Sequence, residues 1–230
     1  FEVFVHFGTL LAVVTVFGKD ILNLIRTFFS LFSPAFYRPG LGRQFRQNTD
    51  FRLLIFLLAA SVPAGIVGIA FEDQIESFFG DPHLTCIMLI VTALILLLTA
   101  LVRKNDAPLN FRNTFLVGLA QAVAILPGIS RSGSTVSVGL YQGMDSSEAA
   151  RFSFLLAVPA VLGATLIKSL DLIKNGMSGD MFLMLAVGMF AAYASGYFAI
   201  RSMLSIIRRG KLYYFAPYCL LLGIIGLLFI

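Results

Sequence analysis

Pro127-Gly128-Ile129-Ser130-Arg131-Ser132-Gly133-Ser134-Thr135 interrupts a very apolar chain with four hydroxyls, one guanidinium and two glycines. An arginine at membrane depth is costly unless something pairs with it. Its neighbours indicate an anion. Glycines let backbone N–H groups come close, Ser and Thr hydroxyls donate, and a guanidinium grips phosphate oxygens two at a time. The stretch therefore reads as a phosphate-binding loop inside a membrane. Arg131, Ser130, Ser132 and Thr135 are the catalytic candidates. Gly128, Gly133 and Ser134 are substrate-binding candidates, joined by Gln121, which lies about two turns earlier and supports the loop by hydrogen bonding. The competing reading is an ordinary polar turn with Arg131 snorkelling to the interface.

The flanks decide how the loop is carried. A spanning helix needs roughly 20 apolar residues. Thr114–Leu126 has only 13, and Val136–Gly143 is shorter still. Two short half-helices around a Gly/Pro break predict a re-entrant hairpin over 114–143, tolerated at membrane depth only where protein or water satisfies the backbone. Asp145-Ser146-Ser147-Glu148 reads as an N-cap with an acidic first turn, opening the next helix. Six apolar runs remain: Phe1–Gly18, Phe51–Phe71, Leu84–Val102, Ala149–Leu170, Met181–Leu204 and Tyr213–Ile230. Lys19–Phe36 is amphipathic; it either extends the first span or lies in the interface. The fold class is an all-α polytopic membrane protein, with six spans and one re-entrant hairpin in a single integral membrane domain, 1–230.

Composition agrees. Hydrophobic residues make up 58% and charged residues 13%, with mean hydropathy +0.90. A soluble domain is nearer a quarter charged. The net charge of +5 reports loop orientation and anionic headgroups, not nucleic acid. Cys86 and Cys219 sit in apolar runs and read as reduced core residues. The basic segments Arg38–Arg52, Arg103-Lys104 and Arg208–Lys211 are cytoplasmic by the positive-inside rule, and acidic Glu72–Asp81 lies outside. These assignments agree only if the hairpin enters and leaves on one side. Three spans, a hairpin and three more spans form an inverted repeat, 1–113 and 114–230 with the loop 127–135 in the second half. The first half lacks its own hairpin, which is expected upstream of Phe1.

Leu126–Thr135, followed by Ala150-Arg151-Phe152-Ser153-Phe154-Leu155-Leu156-Ala157-Val158-Pro159, resembles the undecaprenyl-diphosphate phosphatase family of the bacitracin-resistance type. Phe1-Glu2-Val3 with Gly8-Thr9 resembles that family's first full span, and the likeness runs through the chain in order. The resemblance implies a fold of six spans and two re-entrant hairpins as interlocking inverted repeats. It implies hydrolysis of undecaprenyl diphosphate to the monophosphate and inorganic phosphate, recycling the lipid carrier for cell-wall polymers in a bacterial inner membrane. Ser130, Arg131, Ser132, Gly133 and Thr135 match the family's Ser-Arg-Ser-Gly-x-Thr cradle, and Ser134 stands where a small residue is commonly allowed. The family's other motif, a glutamate-rich helix and a hairpin His, is not found. It is expected upstream of Phe1, where its carboxylates would hold a divalent cation, Mg²⁺ or Ca²⁺. Without it this chain holds half an active site and is expected to be inactive.

The remaining candidates have plainer readings. Glu2 and His6 share a helix face at i, i+4; Glu2 is a metal candidate, but an outer-end Glu2 beside an interior His6 is the preferred reading. His83 reads as solvated, and Glu148 with Arg151 as a local cap pair. Ala191, Ala192, Ser195 and Gly196 read as helix packing. The implied partners are the isoprenyl diphosphate and the bilayer, with a homodimer left open. A secondary transporter or lipid flippase for an anionic solute fits the broken helices equally on physics alone.

Overall fold

The structure, a computed structural model, describes residues 2–38, 40–102, 106–175 and 181–230, without the side chains of 2, 3, 35, 164–175 and 181–184. Arg103, Lys104 and most of the expected Lys174–Asp180 loop lie outside the described residues, as does the Glu2 side chain. The helices in chain order are α1 (Glu2–Val16), α2 (Gly18–Ser30), α3 (Pro34–Tyr37), α4 (Leu41–Gln47), α5 (Thr49–Ala70), α6 (Glu72–Phe79), α7 (Pro82–Leu98), α8 (Phe111–Val123), α9 (Arg131–Tyr141), α10 (Ser146–Asn175), α11 (Met181–Arg208) and α12 (Ala216–Phe229). No strand occurs among the described residues; Ala107 and Met144 form an isolated bridge.

Thr49–Ala70, Pro82–Leu101, Leu185–Arg208 and Leu212–Phe229 are long and apolar enough to cross a membrane. Helices α1 and α2 together meet the same test but are bent by 92°. The chain is thus a multi-pass membrane protein with four or five such helices. The predicted span Phe1–Gly18 differs: α1 has 15 residues and reaches only about 22 Å, short of the ~30 Å hydrocarbon core. At Phe17 the backbone leaves the helical region (φ −109°, ψ 23°) before α2 starts. So Lys19–Phe36 does not continue the first helix straight on. The predicted acidic connection is itself partly helical, as α6.

The residues cluster in two compact units, Phe1–Ile55 with Phe154–Leu204, and Phe56–Ser153 with Ser205–Ile230. In the first, Gly8 lies so close to Met189 that a Cβ would collide with its carbonyl, and Gly196 faces Ala12. Ala192 and Gly196 are therefore packing residues, as their small size predicts, whereas Ala191 and Ser195 are exposed. Phe17 and Phe154 stack with centroids 5.5 Å apart, and Phe51 packs edge-on against Phe36 at 5.1 Å. In the second, α7 lies along α12, with Gly223 and Gly226 against Cys86. Cys86 is buried, Cys219 half-buried, and both are free thiols. The second unit holds α8 and α9, at 13 and 11 residues about 20 and 17 Å long. Neither could cross a bilayer alone.

Candidate functional site

The loop is framed by two well-capped half-helices. Asn110 opens α8 through a reciprocal cap: Asn113 N donates to Asn110 Oδ1 at 3.0 Å and Asn110 N to Asn113 Oδ1 at 2.9 Å. Helix α8 ends at Val123 and the chain turns through residues 124–130. Gly128 sits at φ +88°, a conformation costly for any residue with a Cβ. A Cβ there would also run into the Thr85 carbonyl and Met88 of α7. Ser130 then caps α9, its Oγ accepting from Gly133 N at 3.1 Å. Gly133 completes the cap, since a Cβ there would stand 2.8 Å from Ser130 Oγ.

This shifts one sequence expectation. The irregular stretch is 124–130, and Arg131–Thr135 are already helical because Ser130 is a competent cap. Arg131 and Thr135, four residues apart, share a face of α9, Arg131 in its first turn and Thr135 one turn further in. Thr135 is buried. Its Oγ1 donates to the Arg131 carbonyl at 2.7 Å and lies 2.5 Å from Ser153 Oγ. With its only proton so placed, the Thr135 hydroxyl accepts from Ser153.

Arg131 takes the first helical position and is half-buried, and Ser132 follows it, also half-buried. Neither side chain has a hydrogen bond or ion pair among the described residues. The helix N-terminus adds its own partial positive charge, and Leu126–Thr135 contains no carboxylate. The result is an unneutralised cationic corner with hydroxyls beside it.

The interior of the hairpin is polar and incompletely satisfied. Gln121 is 2% exposed and Ser134 4%, and Ser137 is fully buried. Gln121 Nε2 and Oε1, Ser134 Oγ and Ser137 Oγ have no hydrogen-bond partner. Gln121 therefore makes none of the loop-supporting hydrogen bonds its position suggested.

What holds the loop comes from α7. Thr92, 1% exposed, donates through Oγ1 to the Gly128 carbonyl at 2.9 Å and accepts from Ser130 N at 3.1 Å. One hydroxyl thus satisfies a donor and an acceptor on either side of Ile129. Tyr141, at the far end of α9, donates to the Ile95 carbonyl, and Leu96 backs Gly133. Thr85, Met88, Thr92, Ile95 and Leu96 recur at helical spacing, so one stripe of α7 is the bed on which the loop lies. Sequence reading passed over Thr92 and Ser153. Thr92 carried a signal, being the single polar residue between Cys86 and Thr99.

The other candidates lie apart from this corner. Asp145 caps α10 as predicted, Oδ1 accepting from Ser147 N at 2.8 Å and Glu148 N at 3.3 Å. Arg151 Nη1 pairs with Glu148 Oε1 at 3.3 Å on a partly exposed face, the local pair expected. His83 is exposed, as expected; His6 is exposed too, contrary to the interior position foreseen for it. A divalent cation does not fit the residues in hand. Among those described, no three His, Cys, Asp or Glu gather to hold one.

Known proteins resemble the chain over nearly its whole length. The profile of the family described as bacitracin resistance protein BacA matches residues 1–225. A Salinibacter ruber protein named undecaprenyl-diphosphatase is 43% identical over 99% of this chain and 83% of its own length. Bacillus licheniformis undecaprenyl-diphosphatase 1 is 35% identical over 100% of this chain and 83% of its own. A Halothermothrix orenii undecaprenyl-diphosphatase is 37% identical, over 97% and 80%.

Proposed function

The chain belongs to the bacitracin resistance protein BacA family, and from that premise we propose that it hydrolyses undecaprenyl diphosphate to undecaprenyl phosphate and inorganic phosphate. The reaction returns the lipid carrier to cell-wall polymer synthesis and underlies bacitracin resistance. The observation that carries the reading within the molecule is Arg131: a guanidinium with no partner among the described residues, at a helix N-terminus, beside the hydroxyls of Ser130 and Ser132. Relatives named for the hydrolysis favour it over the transporter or flippase reading, which no observation singles out.

Hydrolysis adds water across the anhydride: the water oxygen bonds to the terminal phosphorus, the bond from that phosphorus to the bridging oxygen breaks, and the water's proton is released to solvent. Negative charge grows on the bridging oxygen as the lipid monophosphate leaves. Arg131 offsets that charge and clamps two phosphoryl oxygens. The Ser132 hydroxyl and the free proton of Ser130, whose oxygen already accepts from Gly133 N, donate to the remaining oxygens. Gly128 and Gly133 keep the corner open. Thr135 shapes the corner from beneath through Arg131's carbonyl and Ser153, and Gln121 and Ser134 lie behind it. A divalent cation, Mg²⁺ or Ca²⁺, remains part of the proposal as a requirement of the reaction. Its ligands are not among the described residues, and none of these roles depends on it. The finer architecture proposed is six spans plus a hairpin over 114–143, in inverted repeats 1–113 and 114–230 in the bacterial inner membrane, with a homodimer open.

The test is phosphate release from undecaprenyl diphosphate by the full-length protein in detergent, with and without EDTA, beside Arg131→Ala. Release that EDTA stops and the variant lacks supports the proposal. Release undiminished in a folded Arg131→Ala overturns the assignment of the site.

A further inference from the structure

Helical spacing divides α2 into three faces. One is turned toward protein: Thr27 is buried, and Leu24 and Leu31 are half-buried. A second is apolar and open. Leu22, Ile25, Phe28 and Phe29, continued by Phe32 just past the helix, are between 44% and 74% exposed. The rings of Phe29 and Phe32 stand edge-on to Phe28, at 5.9 and 5.6 Å. The third face is polar and open, with Lys19, Asn23 and Arg26. A helix packed only on its own protein hides its apolar stripe. An apolar stripe and a charged stripe side by side, both open, suit a helix lying along a lipid–water interface. The bend of 92° turns α2 nearly perpendicular to α1, so the two cannot both follow the bilayer normal.

The segment that follows is basic and is fixed to α2. Tyr37 of α3 donates through its hydroxyl to the Leu31 carbonyl at 2.8 Å, and Gln44 Nε2 of α4 donates to the Phe36 carbonyl at 2.9 Å. The buried Phe36 packs on Phe51 at the start of α5, and Phe45 of α4 meets the same ring at 6.4 Å. Arg38, Arg43 and Arg46 are exposed on this platform. Residues 18–52 hold six Lys or Arg and two Asp, so most of the chain's net charge of +5 lies in this one segment.

We propose that α2 lies in the membrane interface and that α2–α4 form a docking surface for anionic phospholipid. The stripe from Leu22 to Phe32 enters the boundary of the acyl chains, and Arg26, Arg38, Arg43 and Arg46 meet the headgroup phosphates. The two stripes together set the occupant. The exposed rings need acyl chain, which a soluble anion lacks. The guanidiniums need a headgroup of net negative charge, which a zwitterionic lipid lacks.

Two measurements on the full-length protein test this. The chain has no tryptophan, so Phe29→Trp adds a reporter that is read against the parent protein. Its added emission should be quenched by phosphatidylcholine brominated on the acyl chains and not by acrylamide in the water. Quenching by acrylamide but not by the brominated lipid would overturn the proposal and leave a soluble protein as the partner of the stripe. The second measurement is native mass spectrometry from nanodiscs holding equal phosphatidylglycerol and phosphatidylcholine. Retained lipid should favour phosphatidylglycerol, and Arg43→Gln with Arg46→Gln should cut that preference by roughly fivefold or more. Arg208→Gln with Arg209→Gln removes the same charge from another basic run and should leave most of the preference. All four arginines are exposed, so folding is preserved, and a thermal midpoint verifies it. Equal retention of the two lipids, or an equal fall in the two double variants, would overturn the proposal. Neither measurement reads phosphate release, so both stand apart from the diphosphatase reading.

Discussion

Two helices in this molecule are broken, and the breaks are made differently. Between α1 and α2 the chain turns by 92° at Phe17. The turn is apolar: Phe17 is 8% exposed and stacks on Phe154. Between α8 and α9 the chain turns through residues 124–130, with Gly128 at positive φ and two polar backbone groups, Gly128 O and Ser130 N, bonded to Thr92 of another helix. An apolar bend needs only a ring to fill space. A bend that frees buried backbone polar groups needs a donor and an acceptor brought from elsewhere. This bend also leaves Arg131 without a side-chain partner among the described residues, and the proposed function rests on that.

The largest expected effect separates the two breaks by activity. Arg131→Ala should lower phosphate release by about 10³-fold with little change in thermal midpoint. Arg131→Lys should recover no more than roughly a tenth of the loss, because a lysine cannot form the two-toothed contact. Phe17→Ala should do the reverse. Truncating a buried Phe costs about 3–5 kcal/mol, read as earlier unfolding in detergent, while turnover per folded molecule stays near wild type. A matched loss of turnover in Phe17→Ala would erase the distinction.

Smaller effects test how the polar break is held. Gly128→Ala meets both a forbidden φ and the Thr85 carbonyl, a combined cost of about 2–4 kcal/mol; stability and turnover should fall together. Thr92→Val keeps the shape but strands Gly128 O and Ser130 N, costing about 1–3 kcal/mol. Turnover should drop about tenfold without a change in the metal dependence of release. Smallest is Glu148→Gln, which removes a partly exposed pair worth about 0.5 kcal/mol or less, within the scatter of a melting curve.

The membrane class, most helix bounds and the hairpin's two short arms were legible because apolar run length and Gly/Pro breaks are local signals. Asp145 was read as a cap for the same reason, and the structure has it capping α10. The break at Phe17 was legible in part: Gly18 marked where the first run ends, but the size of the bend was not, because the ring that fills it comes from Phe154. The sequence marked the nine residues at 127–135 as a loop, but not that the last five of them belong to α9. Ser130 capping α9 puts Arg131 in the first turn, half-buried, and Thr135 one turn further along, buried, and that follows from where the helix starts. Thr92 stood out as a lone polar residue in α7, yet its partners lie more than thirty residues away. Gln121 was expected to hydrogen-bond the loop and instead is buried with both amide atoms unpartnered; its polarity was visible, its surroundings were not.

The most direct test is turnover of undecaprenyl diphosphate by Arg131→Ala and Phe17→Ala, side by side at equal concentrations of folded full-length protein. The account predicts release reduced by about 10³-fold in the first and near wild type in the second. Equal activity in the two variants would contradict it, because the guanidinium left unpaired at the polar break would then have no part in the chemistry.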